Sequence, residues 1–126
     1  MIHEKDFGRV GVFCGGTSSE REVSLASGSA VYDALISRGI SAELIDTKKQ
    51  NIIKVSENRI ERAIIMLHGR GGEDGAIQGL LEALDIPYTG SGIAACALAL
   101  DKWRSKLIFE ACNIPTPQLS SVTSVQ

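Results

Sequence analysis

Hydrophobic and polar positions fall along the chain in blocks whose period switches between strand and helix. Arg9 to Cys14 is a short apolar run ending at Gly15-Gly16, the pattern of a buried first strand. Ser19 and Glu22 fit an S-x-x-E capping box, which predicts a helix from about Glu20. Val23, Ala26, Ala30, Val31, Ala34 and Leu35 recur at steps of three and four, predicting one apolar helix face. Arg38 and Gly39 supply its stop. Ile40 to Ile45 alternates as a second strand and ends at Asp46. Thr47 to Asn58 is polar apart from Ile52, Ile53 and Val55 and reads as a loop with room for one helical turn.

Glu61 to Leu67 is a third strand, apolar enough for burial on both faces in a parallel sheet. A helix from about Asp74 to Asp85 follows, then a short fourth strand at Pro87 to Gly90. Gly92 to Leu100 is an alanine-rich helix. Asp101 caps another from Lys102 to Asn113, with Leu107, Ile108 and Ala111 on one face, and Pro115 and Pro117 end it. Thr116 to Val125 reads as the start of a further strand. Strands alternating with helices predict an α/β fold, Rossmann-like, with a parallel sheet flanked by helices.

That topology directs chemistry to the crevice beyond the C-terminal strand ends. Two glycine-rich loops fall there, Gly15 to Ser19 and His68 to Gly75. The second carries four glycines with one imidazole, one guanidinium and two carboxylates, more chemistry than a plain turn requires. Glu20, in the first turn of a helix, either stabilises the helix dipole or faces the cleft to pair with a substrate ammonium. His68 either satisfies a structural hydrogen bond or meets a carboxylate or phosphate. Glu73 and Asp74 read as caps that hold the loop through Arg70, and two adjacent carboxylates without a third ligand argue against a metal site. The first loop could cradle an anion, but it is neither G-x-G-x-x-G nor a Walker loop. Arg21, Lys102, Arg104 and Lys106 read as solvated charges.

Composition narrows the class. The chain has 126 residues, 44% hydrophobic, enough for one domain with a real core. A net charge of -2 and no long basic tract give no electrostatic case for nucleic acid or a membrane surface. No apolar run approaches the ~20 residues of a membrane span. The polar N-terminus lacks the pattern of a secretory signal, so a cytoplasmic location is expected. Cys14, Cys96 and Cys112 are widely spaced and read as reduced, mostly buried thiols.

Taken together, four blocks resemble the N-terminal part of the D-alanine–D-alanine ligase family. They are Gly15 to Leu25, His68 to Gly79, Pro87 to Gly92, and Asp101-Lys102 with Arg104 to Lys106. They occur in the family's order and cover nearly the whole chain. The resemblance implies a pre-ATP-grasp fold at residues 1–100 and the start of an ATP-grasp domain at 101–126. It implies a cytoplasmic homodimer that uses ATP with Mg²⁺ or Mn²⁺ to join two D-alanines for peptidoglycan. It also implies roles. Glu20 matches the glutamate that holds the first D-alanine's ammonium. His68 matches the histidine near that substrate's activated carboxylate. Lys102 matches a lysine on the ATP phosphates. The ATP pocket and the metal-binding carboxylates of such ligases find no match here, so the chain alone is expected to be inactive. Two other readings remain open: a non-catalytic anion- or nucleotide-binding module, and a dimerisation domain.

Overall fold

The computed structural model describes residues 4–50 and 59–117. Most of the turn expected before Asn58, and the strand expected toward Val125, lie outside them.

After one 3₁₀ turn at Glu4–Phe7, strand β1 (Val10–Cys14) runs through the middle of a three-stranded parallel sheet. Strand β2 (Ala42–Asp46) pairs on one side with Val12 opposite Leu44. Strand β3 (Arg62–Ile65) pairs on the other with Val12 opposite Ile64. All five β1 residues are buried, as an apolar run without alternation predicts for a central strand. The third strand differs from expectation. Ala63 is buried, whereas Ile64 and Ile65 are only partly covered. The fourth strand shrinks to one parallel bridge, Ala63 with Tyr88. The Ala63 amide donates to Pro87 O at 2.8 Å and the Thr89 amide to Ala63 O at 3.1 Å. Pro87 has no N–H to extend that ladder.

Helix α1 (Arg21–Ser37) packs on β1 and β2. Its buried residues are Ser24 and Gly28, not the expected alanine stripe. Ala26, Ala30 and Ala34 are exposed, and Val23 is 60% exposed. Close approach of helix to sheet selected small residues. A Cβ at Gly28 would lie 2.5 Å from the Cys14 Cβ. The C-terminus behaves as expected. Gly39 takes φ 75°, its amide donates to Ile36 O at 3.0 Å, and the Ile40 amide reaches Leu35 O at 3.1 Å, a Schellman stop.

Helix α2 (Ala76–Ala83) covers another part of the sheet with Ile77 and Leu81, starting two residues later than expected. They join Phe13, Ile45, Ile60, Ala63, Leu67 and Ile86 in one core. Helices α3 (Ile93–Leu100) and α4 (Lys102–Ala111) pack on each other, and α3 also touches α2. Asp101 caps α4 as predicted, accepting from the Arg104 amide at 2.9 Å. Leu107, Ile108 and Ala111, expected as a packed face, are exposed. Of the three cysteines only Cys14 is buried, and burial pushes its thiol pKa up.

Candidate functional site

Both glycine-rich loops leave the same edge of the sheet. The ladder extends past β3, where the Met66 amide donates to Phe13 O at 2.8 Å. One side chain then stitches the two strand ends together. Ser24, wholly buried on α1, accepts from the Gly15 amide at 2.9 Å and donates to Met66 O at 2.6 Å. Buried backbone groups need such partners, and here one hydroxyl serves two of them.

A second hydroxyl repeats the arrangement nearer the surface. Ser18 donates to His68 O at 2.8 Å and accepts from the Glu20 amide at 3.2 Å. The predicted Ser19–Glu22 capping box is not what starts α1. Glu20 occupies the cap position without a side-chain cap bond, and Ser18 serves its amide. Gly69 lies directly beneath, at φ 66°, where a Cβ would approach the Glu20 carboxylate to 2.7 Å. Glu20 is thus seated against the residue that follows His68.

Arg21 is not the solvated charge its sequence context suggested. Its guanidinium grips Asp46 through two bonds, 2.9 and 2.7 Å, and donates to Gly16 O at 3.1 Å. This pair ties the first loop to the end of β2. The Arg21 guanidinium holds the Asp46 carboxyl down from 3.8 to about 2.

The second loop is held by its own carboxylates through backbone amides, and the Arg70 charge also acts on Asp74. Glu73 accepts from the Gly69 amide at 3.0 Å. Asp74 accepts from the Gly71 amide at 2.8 Å and the Ala76 amide at 3.1 Å. Burial works against ionisation of Asp74, but these amides outweigh it and its pKa falls. Gln78, buried on α2, donates to Gly72 O at 2.8 Å. His68 Nδ1 lies 3.7 Å from a Glu73 oxygen, and His68 Nε2 is buried without a hydrogen-bond partner.

His68 and Lys102 line a common cleft of about 400 Å³, together with Glu73, Gln78, Ser91 and Cys96. Lys102 Nζ donates to Ala99 O at 2.7 Å. Glu20 does not line this cleft; its carboxylate lies beside Gly69, the residue after His68. Sequence reasoning named Glu20, His68 and Lys102 as candidates and did not single out Ser18, Ser24, Asp46 or Gln78, whose side chains hold the loops around them. Ser18, Ser24 and Asp46 meet partners 25 or more residues away, at His68, Met66 and Arg21, while Gln78 reaches back six residues to Gly72, and no local pattern marks any of them.

A parallel sheet whose strand-end loops bring a carboxylate and an imidazole beside a small, largely apolar cleft is the arrangement of an α/β domain with a candidate small-molecule site at its strand ends. Comparison with known proteins specifies it further. A family model described as D-ala D-ala ligase N-terminus matches residues 45–91. The D-alanine–D-alanine ligase of Aromatoleum aromaticum is 57% identical over 112 residues, 89% of this chain and 36% of that protein. The ligase of Pseudomonas entomophila is 54% identical over 97% of this chain and 38% of its own length. Among solved structures, D-alanine–D-alanine ligase from Bacillus anthracis complexed with ATP superposes with a TM-score of 0.78. It is 34% identical, over 94% of this chain and 42% of that one. Over most of its own length the chain is similar to the N-terminal part of D-alanine–D-alanine ligases, and it spans little more than a third of the length of the curated relatives it matches.

Proposed function

We propose that this chain supplies one wall of the active site of an ATP-dependent D-alanine–D-alanine ligase of peptidoglycan synthesis. In that reaction the γ-phosphoryl group of ATP passes to the carboxylate of one D-alanine. The amine of a second D-alanine attacks the resulting acyl phosphate, releasing phosphate and forming the dipeptide. Glu20 takes the first substrate's ammonium, and His68 lies at its carboxylate end. A zwitterion held at both ends presents its carboxylate in a fixed direction, which is where positioning lowers the barrier. Lys102, in the same cleft as His68, offsets phosphate charge from ATP.

The observation that carries this reading is the seating of the Glu20 carboxylate against Gly69, one residue from His68. Mg²⁺ or Mn²⁺ belongs to the proposed reaction as the partner of ATP, and none of Glu20, His68 and Lys102 is assigned to it; among the described residues no group of three or more His, Cys, Asp or Glu gathers to hold a metal ion. We assign residues 1–100 to the substrate domain and 101–126 to the start of an ATP-grasp domain. The exposure of Trp103, Leu107, Ile108 and Phe109 supports a further layer against α4. No helix among the described residues is long and apolar enough to cross a membrane, and we place the enzyme in the cytoplasm, as a homodimer.

The test is Glu20→Gln in a complete ligase chain carrying these residues at its N-terminus. Loss of the ion pair should raise KM for the first D-alanine about tenfold or more, with KM for ATP unchanged. An unchanged D-alanine KM sinks the assignment.

A further inference from the structure

Glu20 and His68 arrive from different strands, and each sits on a glycine-rich loop that could drift alone. One side chain joins them. The Ser18 hydroxyl donates to the His68 carbonyl at 2.8 Å while accepting from the Glu20 amide at 3.2 Å. Gly69 completes the joint. Its hypothetical Cβ would come within 3.3 Å of the Ser18 Cβ and 2.7 Å of the Glu20 carboxylate, so a bare glycine there lets the loops close on each other. The joint is separate from the deeper one at Ser24, whose hydroxyl links Gly15 to Met66, although the Ser24 amide donates to the Glu20 carbonyl within the first turn of α1.

We infer that Ser18 is a positioning residue for the first substrate. Its hydroxyl sets the spacing between the group that takes the ammonium and the group at the carboxylate end. A hydroxyl suits the task because it donates and accepts at once, so one atom fixes both backbones. Ser18 touches no reacting atom in this scheme and acts through Glu20 and His68. The inference rests on the assignment of those two residues to D-alanine.

Its test is a double-mutant cycle of Ser18→Ala and Glu20→Gln in the same complete ligase chain, with Ser18→Thr as the conservative variant. Ser18→Ala should raise KM for the first D-alanine about three- to tenfold, the effect of one hydrogen-bonded joint. KM for ATP should stay unchanged, and Ser18→Thr should recover most of the loss. In the Glu20→Gln background, Ser18→Ala should add little, because the group it positions is gone. A merely structural serine would lower the melting temperature and leave the D-alanine and ATP constants in their original ratio. If Glu20→Gln raises KM and Ser18→Ala does not, or if the two effects add fully, the positioning role is overturned while the substrate assignment stands. If Glu20→Gln itself has no effect, the assignment fails, and the positioning role with it.

Discussion

The sheet with α1 and α2, and the pair α3 with α4, are built to different standards of closure. In the first region Phe13, Ile45 and Leu81 are essentially inaccessible, and every core residue comes from the strands, α2 or the segments flanking them. In the second region α3 buries no residue and α4 buries only Ser105. Its large apolar side chains, Ile93, Leu98, Trp103, Leu107, Ile108 and Phe109, are each at least 37% exposed. The two sequences are similarly apolar, so composition does not separate them. What separates them is whether the described residues provide the opposing surface. The first region stands on its own contacts and carries the two loops. The second gains little from its apolar residues among the described ones, and it contributes Lys102 and Cys96 as a wall of the cleft.

The largest effect should come from emptying the closed region. Leu81→Ala removes a wholly buried side chain and should cost about 2–5 kcal/mol, read as a lower denaturation midpoint in the chain as given. A loss below about 1 kcal/mol would mean that the two regions do not differ in packing as described.

Much of the order of elements was legible beforehand, this contrast was not, and the failures share a cause. The strand at Val10–Cys14, the stop at Gly39, the cap at Asp101 and the strand-end loops follow from local patterns, and each appeared where expected. The face of α1 did not. Periodicity counts apolar residues, whereas the sheet selected Ser24 and Gly28 for closeness and for a hydroxyl. Arg21 and Asp46 are 25 residues apart, and Ser18 and His68 are 50 apart. Contacts at that range depend on which strands become neighbours, and no local signal encodes them. Glu20 and His68 could be read as cleft candidates from position alone. Lys102 could be nominated only by resemblance, because a lysine at a helix start looks like any solvated charge.

Within the closed region, the Arg21–Asp46 clamp offers an intermediate effect with a defined pH window. Asp46 and Arg21 side chains are 14% and 17% exposed. Asp46→Asn should cost about 1.5–3 kcal/mol near neutral pH, as for hydrogen bonds to a charged group. The folded carboxyl titrates at about 2, below its ordinary 3.8. The folded state therefore favours the ionised form, and the stabilisation is complete above the unfolded value. As pH falls from about 4 toward 2 the carboxylate takes up a proton and the stabilisation drains away. Other carboxylates also titrate there, Asp74 and Asp101 among those with lowered pKa, so the quantity to measure is the difference between the native chain and Asp46→Asn. That difference should be steady from pH 5 to 7 and shrink below pH 4. A constant difference down to pH 2 would mean that the clamp does not depend on the charge of Asp46.

The smallest effect should come from the open region, and its smallness is the point. Leu107 on α4 is 45% exposed, although its residue type and helical spacing are those of a core position. In the chain as given, Leu107→Ser gives up little burial and should change stability by no more than about 0.5 kcal/mol. The same substitution in a complete ligase chain meets whatever surface lies against α4. If that surface buries Leu107, the cost should rise to about 1.5–3 kcal/mol, the transfer energy of a fully covered leucine side chain. Paired unfolding curves of the two chains read this directly. A small effect in both would show that the apolar residues of α4 remain in water even in the longer protein. The assignment of residues 101–126 to a second domain would then lose its physical support. A large effect already present in the short chain would erase the distinction between the two regions, because Leu107 would be contributing there as Leu81 does.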